Sequence, residues 1–342
     1  MTDRNQRNIL LLAAIFAVAA GGLLMLPRQT APVSSDQPSV PEDNSKSFAV
    51  MRSSRHQSAE EIAEHEWLRS LRDAMIAGDR CSALAKIIKD STAAQKAVEW
   101  ANGIDDQSNR NMALDSIACA WGKCDPKAGV QWALSLTDDP LTRSALITTV
   151  FAGWAAQDAK AASEYATTLE QADQTYAIAA VAPALAANSP KDAIQWAQSL
   201  SDDDARNLAT HYVVNTWSGS QPANAAAWVL TQPDGFDRAD YVHTIVQKWL
   251  ESDATAAVEW VRRLPSGTSR DSALDLIASQ FTDSDPSFAA NYAENIDRTE
   301  LRDARVEALI GKWLNKDPNA AKAWLENAPV SDSKKANLVA PQ

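Results

Sequence analysis

The sequence predicts an all-α fold, a right-handed solenoid of about eight helical hairpins. Three observations predict it. An Arg followed eleven residues later by an aromatic, and eleven after that by a second aromatic, recurs along the last two thirds of the chain in steps of 31 to 33 residues. Between these landmarks the apolar residues keep helical spacing, and turn residues, often Asp-Pro, divide each step. A period near 32 residues marks a hairpin array, in which each unit buries its apolar face only against its neighbours.

The amino terminus carries a different signal. Residues 1–8 include Arg4 and Arg7, and 9–26 are eighteen residues without a charge, followed by Pro27-Arg28. At ~1.5 Å per residue that run spans ~27 Å, the thickness of a bilayer's hydrocarbon core. It reads as a single transmembrane signal anchor. With Arg4 and Arg7 held inside, the rest of the chain faces the periplasm or exterior of an inner membrane. The rival reading is a secretory signal peptide, because Ala17-Val18-Ala19 resembles a small-x-small cleavage site, and cleavage would release the body.

Residues 27–57 hold Pro27, Pro32, Pro38 and Pro41 among many Ser, with only isolated apolar residues. Such a stretch buries too little surface to fold alone and is expected to be a disordered tether. Ser58 with Glu61 makes a capping box for a capping helix over 58–78, closed by Gly78. Residues 79–330 form the solenoid, and 331–342 a terminal cap in which Lys334 and Leu338 take the Arg and fourth-position slots of a further unit. A degenerate hairpin, about 79–103, opens the array with Trp100 and Ile104 in the expected places and Arg80 two residues out of register.

The regular units are Arg110/Trp121/Trp132, Arg143/Trp154/Tyr165, Gln174/Leu185/Trp196, Arg206/Trp217/Trp228, Arg238/Trp249/Trp260, Arg270/Phe281/Tyr292 and Arg302/Trp313/Trp324. Aliphatic residues at the fourth and seventh positions after the Arg, such as Leu114 and Ile117 or Val242 and Ile245, align with the first aromatic on one helical stripe. Thr210 is the polar exception. Fifteen residues after the Arg stand Asp125-Pro126, Ser189-Pro190, Gln221-Pro222, Asp285-Pro286 and Asp317-Pro318, with Asp158 and Asp253 lacking the Pro. A cap ahead of Pro starts a second helix. The nineteenth position is always Gly or Ala, which predicts close backbone approach there. Four residues past the second aromatic comes Leu136, Leu169, Leu200, Leu264, Ile296 or Ala328, and at Gln232 the nearby Leu230 and Phe236 are possible substitutes.

On these repeats the chain resembles the tetratricopeptide-type helix-turn-helix solenoids over residues 79–330. It departs from them in its period, in lacking their Trp-Leu-Gly-Tyr spacing, and in placing Pro at the start of the second helix. The resemblance implies a curved protein-binding scaffold, and no site residue carries over.

Composition narrows the function. With 32 basic and 44 acidic residues the formal charge is −12, which repels nucleic acid. Asp105-Asp106, Asp138-Asp139 and Asp202-Asp203-Asp204 fall at hairpin junctions and read as solvated turns, without the ligand rhythm of a calcium loop. Three Cys lack zinc spacing. They read as small buried hydrophobes, the alternative in an oxidising space being a Cys119–Cys124 bridge that leaves Cys81 free.

No Ser-His-Asp order, Gly-rich phosphate loop or HExxH motif occurs, so no catalytic residue, metal or cofactor is assigned. The expected role is an interaction scaffold for a protein or peptide. The alternatives are an α/α-toroid-type hydrolase or lyase and a cell-wall glycan binder. The most distinctive polar line is the fifth position after the Arg, with Asp115, His211, His243, Asp275 and Glu307 as a candidate binding groove. Adjacent helices pack ~8–10 Å apart, too far for His211 and His243 to share a metal easily. The six repeated Arg are expected to stack on an aromatic or pair with a loop carboxylate of an adjacent unit, and the ten repeated Trp to turn inward.

Overall fold

A computed structural model describes residues 59–136 and 139–339. The expected anchor at 9–26, the linker at 27–57 and Ser58 lie outside the described residues, as does Asp138. Seventeen helices and no strand occur among the described residues, an arrangement consistent with an α-solenoid. No helix among them is long and apolar enough to cross a membrane.

The array opens with α1 (Ala59–Met75), α2 (Arg80–Leu84) and α3 (Ser91–Asn102). Regular hairpins follow: α4 (Gln107–Cys124) with α5 (Pro126–Leu134), then α6 (Pro140–Ala166), α7 (Gln171–Asn188) with α8 (Pro190–Ser199), and α9 (Asp203–Ser220) with α10 (Pro222–Val229). Next come α11 (Phe236–Ser252) with α12 (Ala254–Arg262), α13 (Thr268–Phe281) with α14 (Pro286–Ala293), α15 (Thr299–Lys316) with α16 (Pro318–Asn327), and finally α17 (Asp332–Val339). Each long first helix packs against the first helices before and after it and against its own short partner.

The local chemistry sets these boundaries. The side chains of Asp106, Asp139 and Asp202 accept from the backbone N–H of Asn109, Thr142 and Ala205, so the acidic junction residues cap first helices. Second helices start in the same way at Asp125, Ser189, Asp253, Asp285 and Asp317. Each such bond satisfies an amide that the helix itself leaves unpaired. Gln221 caps no backbone amide and bonds Asn224 instead. In α6 the two helices of a hairpin run together, yet Asp158 keeps the non-helical φ −147° and ψ 86° that Asp253 shows at −152° and 86°. The turn survives without its Pro.

The predicted stripes are the core. Fourth- and seventh-position residues from Leu114 to Leu309 are buried, and buried Thr210 satisfies its hydroxyl by donating 2.8 Å to the Arg206 carbonyl. All seven nineteenth-position residues are buried, Gly129 through Ala321. A Cβ on Gly129 would lie 3.1 Å from Val150 Cγ1, tighter than ordinary van der Waals contact. The interior forms two clusters that both reach Leu185 and Trp196, in the unit where Gln174 replaces Arg and Leu185 replaces the aromatic.

Three expectations need correction. Leu230 and Phe236 do not fill the place left by Gln232: they are 41% and 83% exposed, and the Gln232 carbonyl accepts from Arg238 at 3.4 Å. The Trp residues are not uniformly interior. Trp121, Trp154 and Trp313 are buried, while Trp132, Trp196, Trp217, Trp228, Trp249, Trp260 and Trp324 are half-buried and pack against the core from its margin. The cysteines pair as Cys81–Cys119, with Cα atoms 5.6 Å apart, and Cys124 is the free thiol. Cys119 and Cys124 share one helix, whereas α2 brings Cys81 alongside α4 within the Cα separation a bridge needs.

Candidate functional site

Side-by-side first helices bring the fifth-position row to facing elements, where most of its members bond to the next hairpin. Asp115 Oδ1 of α4 accepts from Thr149 Oγ1 of α6 at 2.5 Å. His211 Nδ1 of α9 lies 3.1 Å from Asp240 Oδ2 of α11, which puts the proton on Nδ1 in the bonded tautomer. Asp275 of α13 receives a two-pronged bond from Arg305 of α15, at 2.7 and 2.9 Å. Glu307 of α15 pairs with Lys334 of α17 at 3.2 Å. His243 stands one turn beyond Asp240 on α11 and is half-buried. The row therefore staples neighbours at four junctions. Among the described residues no cluster of three His, Cys, Asp or Glu is placed to hold a metal ion.

Electrostatics follow these contacts. The His211 hydrogen bond, with the nearby His211 and His243 charges, holds the Asp240 carboxyl below the ordinary carboxylate range against the opposing effect of burial. Burial raises the Tyr241 phenol to about 12, with Asp237 adding to the shift and the Thr210 hydrogen bond opposing it. Burial likewise pushes the Cys124 thiol up, the direction of an unreactive sulfur.

The repeated Arg acts mostly on the preceding hairpin. Arg110, Arg206, Arg238 and Arg302 each donate to the main-chain carbonyl six residues earlier, at Ile104, Leu200, Gln232 and Ile296, over 2.7 to 3.4 Å. Those carbonyls lie at the end of the previous second helix, where free acceptors and the negative end of the helix dipole favour a cation. Arg143 bonds Asp173 in the first turn of α7 at 2.6 Å and Arg270 the loop carboxylate Asp297 at 3.4 Å, both in the next unit, while Arg206 and Arg238 pair with Asp203 and Asp234 of their own junctions. Among the described residues none of the six stacks on an aromatic ring. Where Arg is missing, Gln174 Nε2 donates to the Ala166 carbonyl at 3.2 Å, and the displaced Arg80 does the same for the Met75 carbonyl at 2.9 Å.

The two aromatics of a unit meet within the hairpin. Trp121 and Trp132 stack with centroids 5.2 Å apart, and Trp154–Tyr165, Trp217–Trp228, Trp249–Trp260 and Trp313–Trp324 lie at 5.3 to 6.2 Å. In the sixth unit Phe288 stands between Phe281 and Tyr292, 4.8 Å from each. In the third unit Trp196 has Leu185 in place of a ring and closes the gap between the two core clusters.

An open cleft of about 640 Å³ lies between α15 and α17, and Glu307 is the row member on its wall. Sequence reasoning missed it, because it depends on how α17 crosses α15. It also missed Gly122 and Gly153, where α4 and α6 touch backbone to backbone: an added Cβ would stand 2.1 Å from the Val150 carbonyl oxygen and 2.2 Å from that of Cys119.

No family model matches the chain, and no curated protein matches it. A solved structure that aligns is the crystal structure of Ton1535 from Thermococcus onnurineus NA1, at 13% identity over 81% of this chain and 95% of that one, with a TM-score of 0.27.

Proposed function

We propose that the protein is a helical-repeat scaffold that binds a protein or peptide partner, tethered by residues 9–26 to an inner membrane with residues 79–330 in the periplasm or exterior. One observation carries the reading. Staples from the fifth-position row, and Arg bonds to the preceding helix ends, hold consecutive first helices in fixed relation, so their outward faces make an extended surface fixed before binding. Ordering such a surface in advance lowers the entropy cost of association. The Cys81–Cys119 bridge supports an oxidising compartment, since such bonds are rare in a reducing cytosol. The aromatic pairs of each hairpin pack on each other and on the core, which favours a structural use of the rings over a stacking platform for sugars.

Two measurements test the proposal. Alkaline phosphatase, active only after export, fused behind Gln342 should be active, and an inactive fusion would dismiss the extracytoplasmic body. A photo-crosslinking residue at exposed Asn111, Gln247 or Ser279 of the full-length chain in its native membrane should give a discrete polypeptide adduct at one or more positions. No adduct at any of the three would count against a scaffold.

A further inference from the structure

We infer that the cleft between α15 and α17 binds a short extended peptide segment, with its main chain passing over Gly311. The inference rests on the scaffold reading and gives it a site. Gly311 lies inside the 18-residue α15, where Gly is the poorest helix former after Pro. No neighbour requires it. A Cβ built there meets nothing within 4 Å, in contrast to Gly122 and Gly153, where a backbone oxygen would be struck. The equivalent ninth position in other units carries Cys119, Ala152, Pro183, Asn215, Gln247 and Ser279. The missing side chain thus opens a floor that packing does not use, and such a floor admits close approach by another backbone.

The walls define the ligand chemistry. Asn315 and Asn337 face the cleft from its two helices, each carboxamide carrying an acceptor and two donors, the complement of main-chain N–H and C=O groups. Asn315 spends one donor on the Gly311 carbonyl at 3.1 Å, and the exposed Asn337 carboxamide bonds no group among the described residues. Leu314 and Leu338 supply a small apolar patch, and at one side Lys334 stands between Glu307 at 3.2 Å and Asp303 at 4.0 Å. With two carboxylates to one ammonium, this side disfavours an acidic ligand. No aromatic ring lines the cleft, so it lacks the stacking face that a sugar ring would use. Its volume of about 640 Å³ falls within the ~300–1,000 Å³ of ligand-sized clefts. The preferred segment is uncharged at its centre, with a small residue over Gly311.

The test pans a displayed random ten-residue peptide library against the full-length chain, then measures binding of a selected, fluorophore-labelled peptide. Gly311→Leu is the blocking variant: Leu is the better helix former, so α15 is kept while the floor is filled. The expected result is enriched peptides whose affinity falls at least about tenfold in Gly311→Leu, with Asn337→Ala also weakening binding and thermal stability undiminished in both. No enrichment, or equal binding by Gly311→Leu, overturns the site. Tighter binding of hexa-N-acetylglucosamine than of any selected peptide, lost in Gly311→Leu, also overturns it in favour of a glycan. Equal peptide binding by Gly311→Leu together with a crosslinked partner at Asn111 or Gln247 removes this cleft while leaving the scaffold standing. Absence of every adduct in the wild-type chain defeats the scaffold itself.

Discussion

An Arg beside the amino terminus of a helix is mildly unfavourable, by ~0.3–1 kcal/mol. Its recurrence at that place follows from the carbonyl it reaches. Arg206 donates 2.7 Å to Leu200 and forms an ion pair with Asp203, and its side chain is 34% exposed. A charged hydrogen bond contributes ~1.5–3 kcal/mol when sheltered, so with partial screening Arg206→Ala should cost roughly 1–2 kcal/mol and lower the melting temperature by a few degrees. Arg206→Lys should recover part of the loss, since an ammonium keeps the charge but not the fork. Equal melting of all three chains would remove the capping role. Asp240 yields a pH dependence. Its folded pKa is depressed, so its contribution is present above the unfolded value of ~3.9 and disappears as pH falls through the folded value. Being 63% exposed, it contributes little. Asp240→Asn should melt slightly lower than wild type at pH 6, with the difference vanishing near pH 2, and a gap that persists in acid would point to packing instead of charge.

At the scale of elements, two glycines in long helices should respond oppositely to one methyl group. Gly153→Ala drives a Cβ into the Cys119 carbonyl, so α4 and α6 must separate and stability should fall by ~1–3 kcal/mol or more. Gly311→Ala meets open space and should gain ~0.5–1 kcal/mol. Urea unfolding midpoints report both, and matching signs would refute the contrast. The sequence shows both glycines without telling them apart, because contact between helices depends on crossing points that a repeat pattern does not encode. What the pattern does encode is periodic: buried stripes, small nineteenth positions and Asp-Pro starts were legible since each unit repeats the same local demand. The Arg acceptors were hidden because a main-chain carbonyl has no residue type. The row at Asp115, His211, Asp275 and Glu307 was legible as a polar line, but its partners Thr149, Asp240, Arg305 and Lys334 stand at varying offsets and left no common signature.

Across the whole molecule, hairpin arrays depend on nearest neighbours, so an end that frays removes the support of the unit behind it. The Cys81–Cys119 bridge acts at that place. It joins short α2 to α4, closing a sequence separation of 38 residues at the start of the array, where α2 is only five residues long and offers little surface of its own. In the chain-entropy account a loop of this length contributes roughly 4 kcal/mol by restricting the unfolded state. Cys81→Ser should therefore loosen α1 to α3 first, seen as faster amide exchange there than in α13 to α16, with a lower melting temperature for the whole. The pairing has its own check. Protein isolated from its native compartment, denatured without reductant and alkylated, should carry one label, on Cys124, and give a Cys81–Cys119 linked peptide on digestion. Three labels would mean the cysteines are reduced where the protein resides, removing both the staple and the oxidising compartment it implies. A linked Cys119–Cys124 peptide would leave α2 unfastened from α4, contradicting the close approach of those helices.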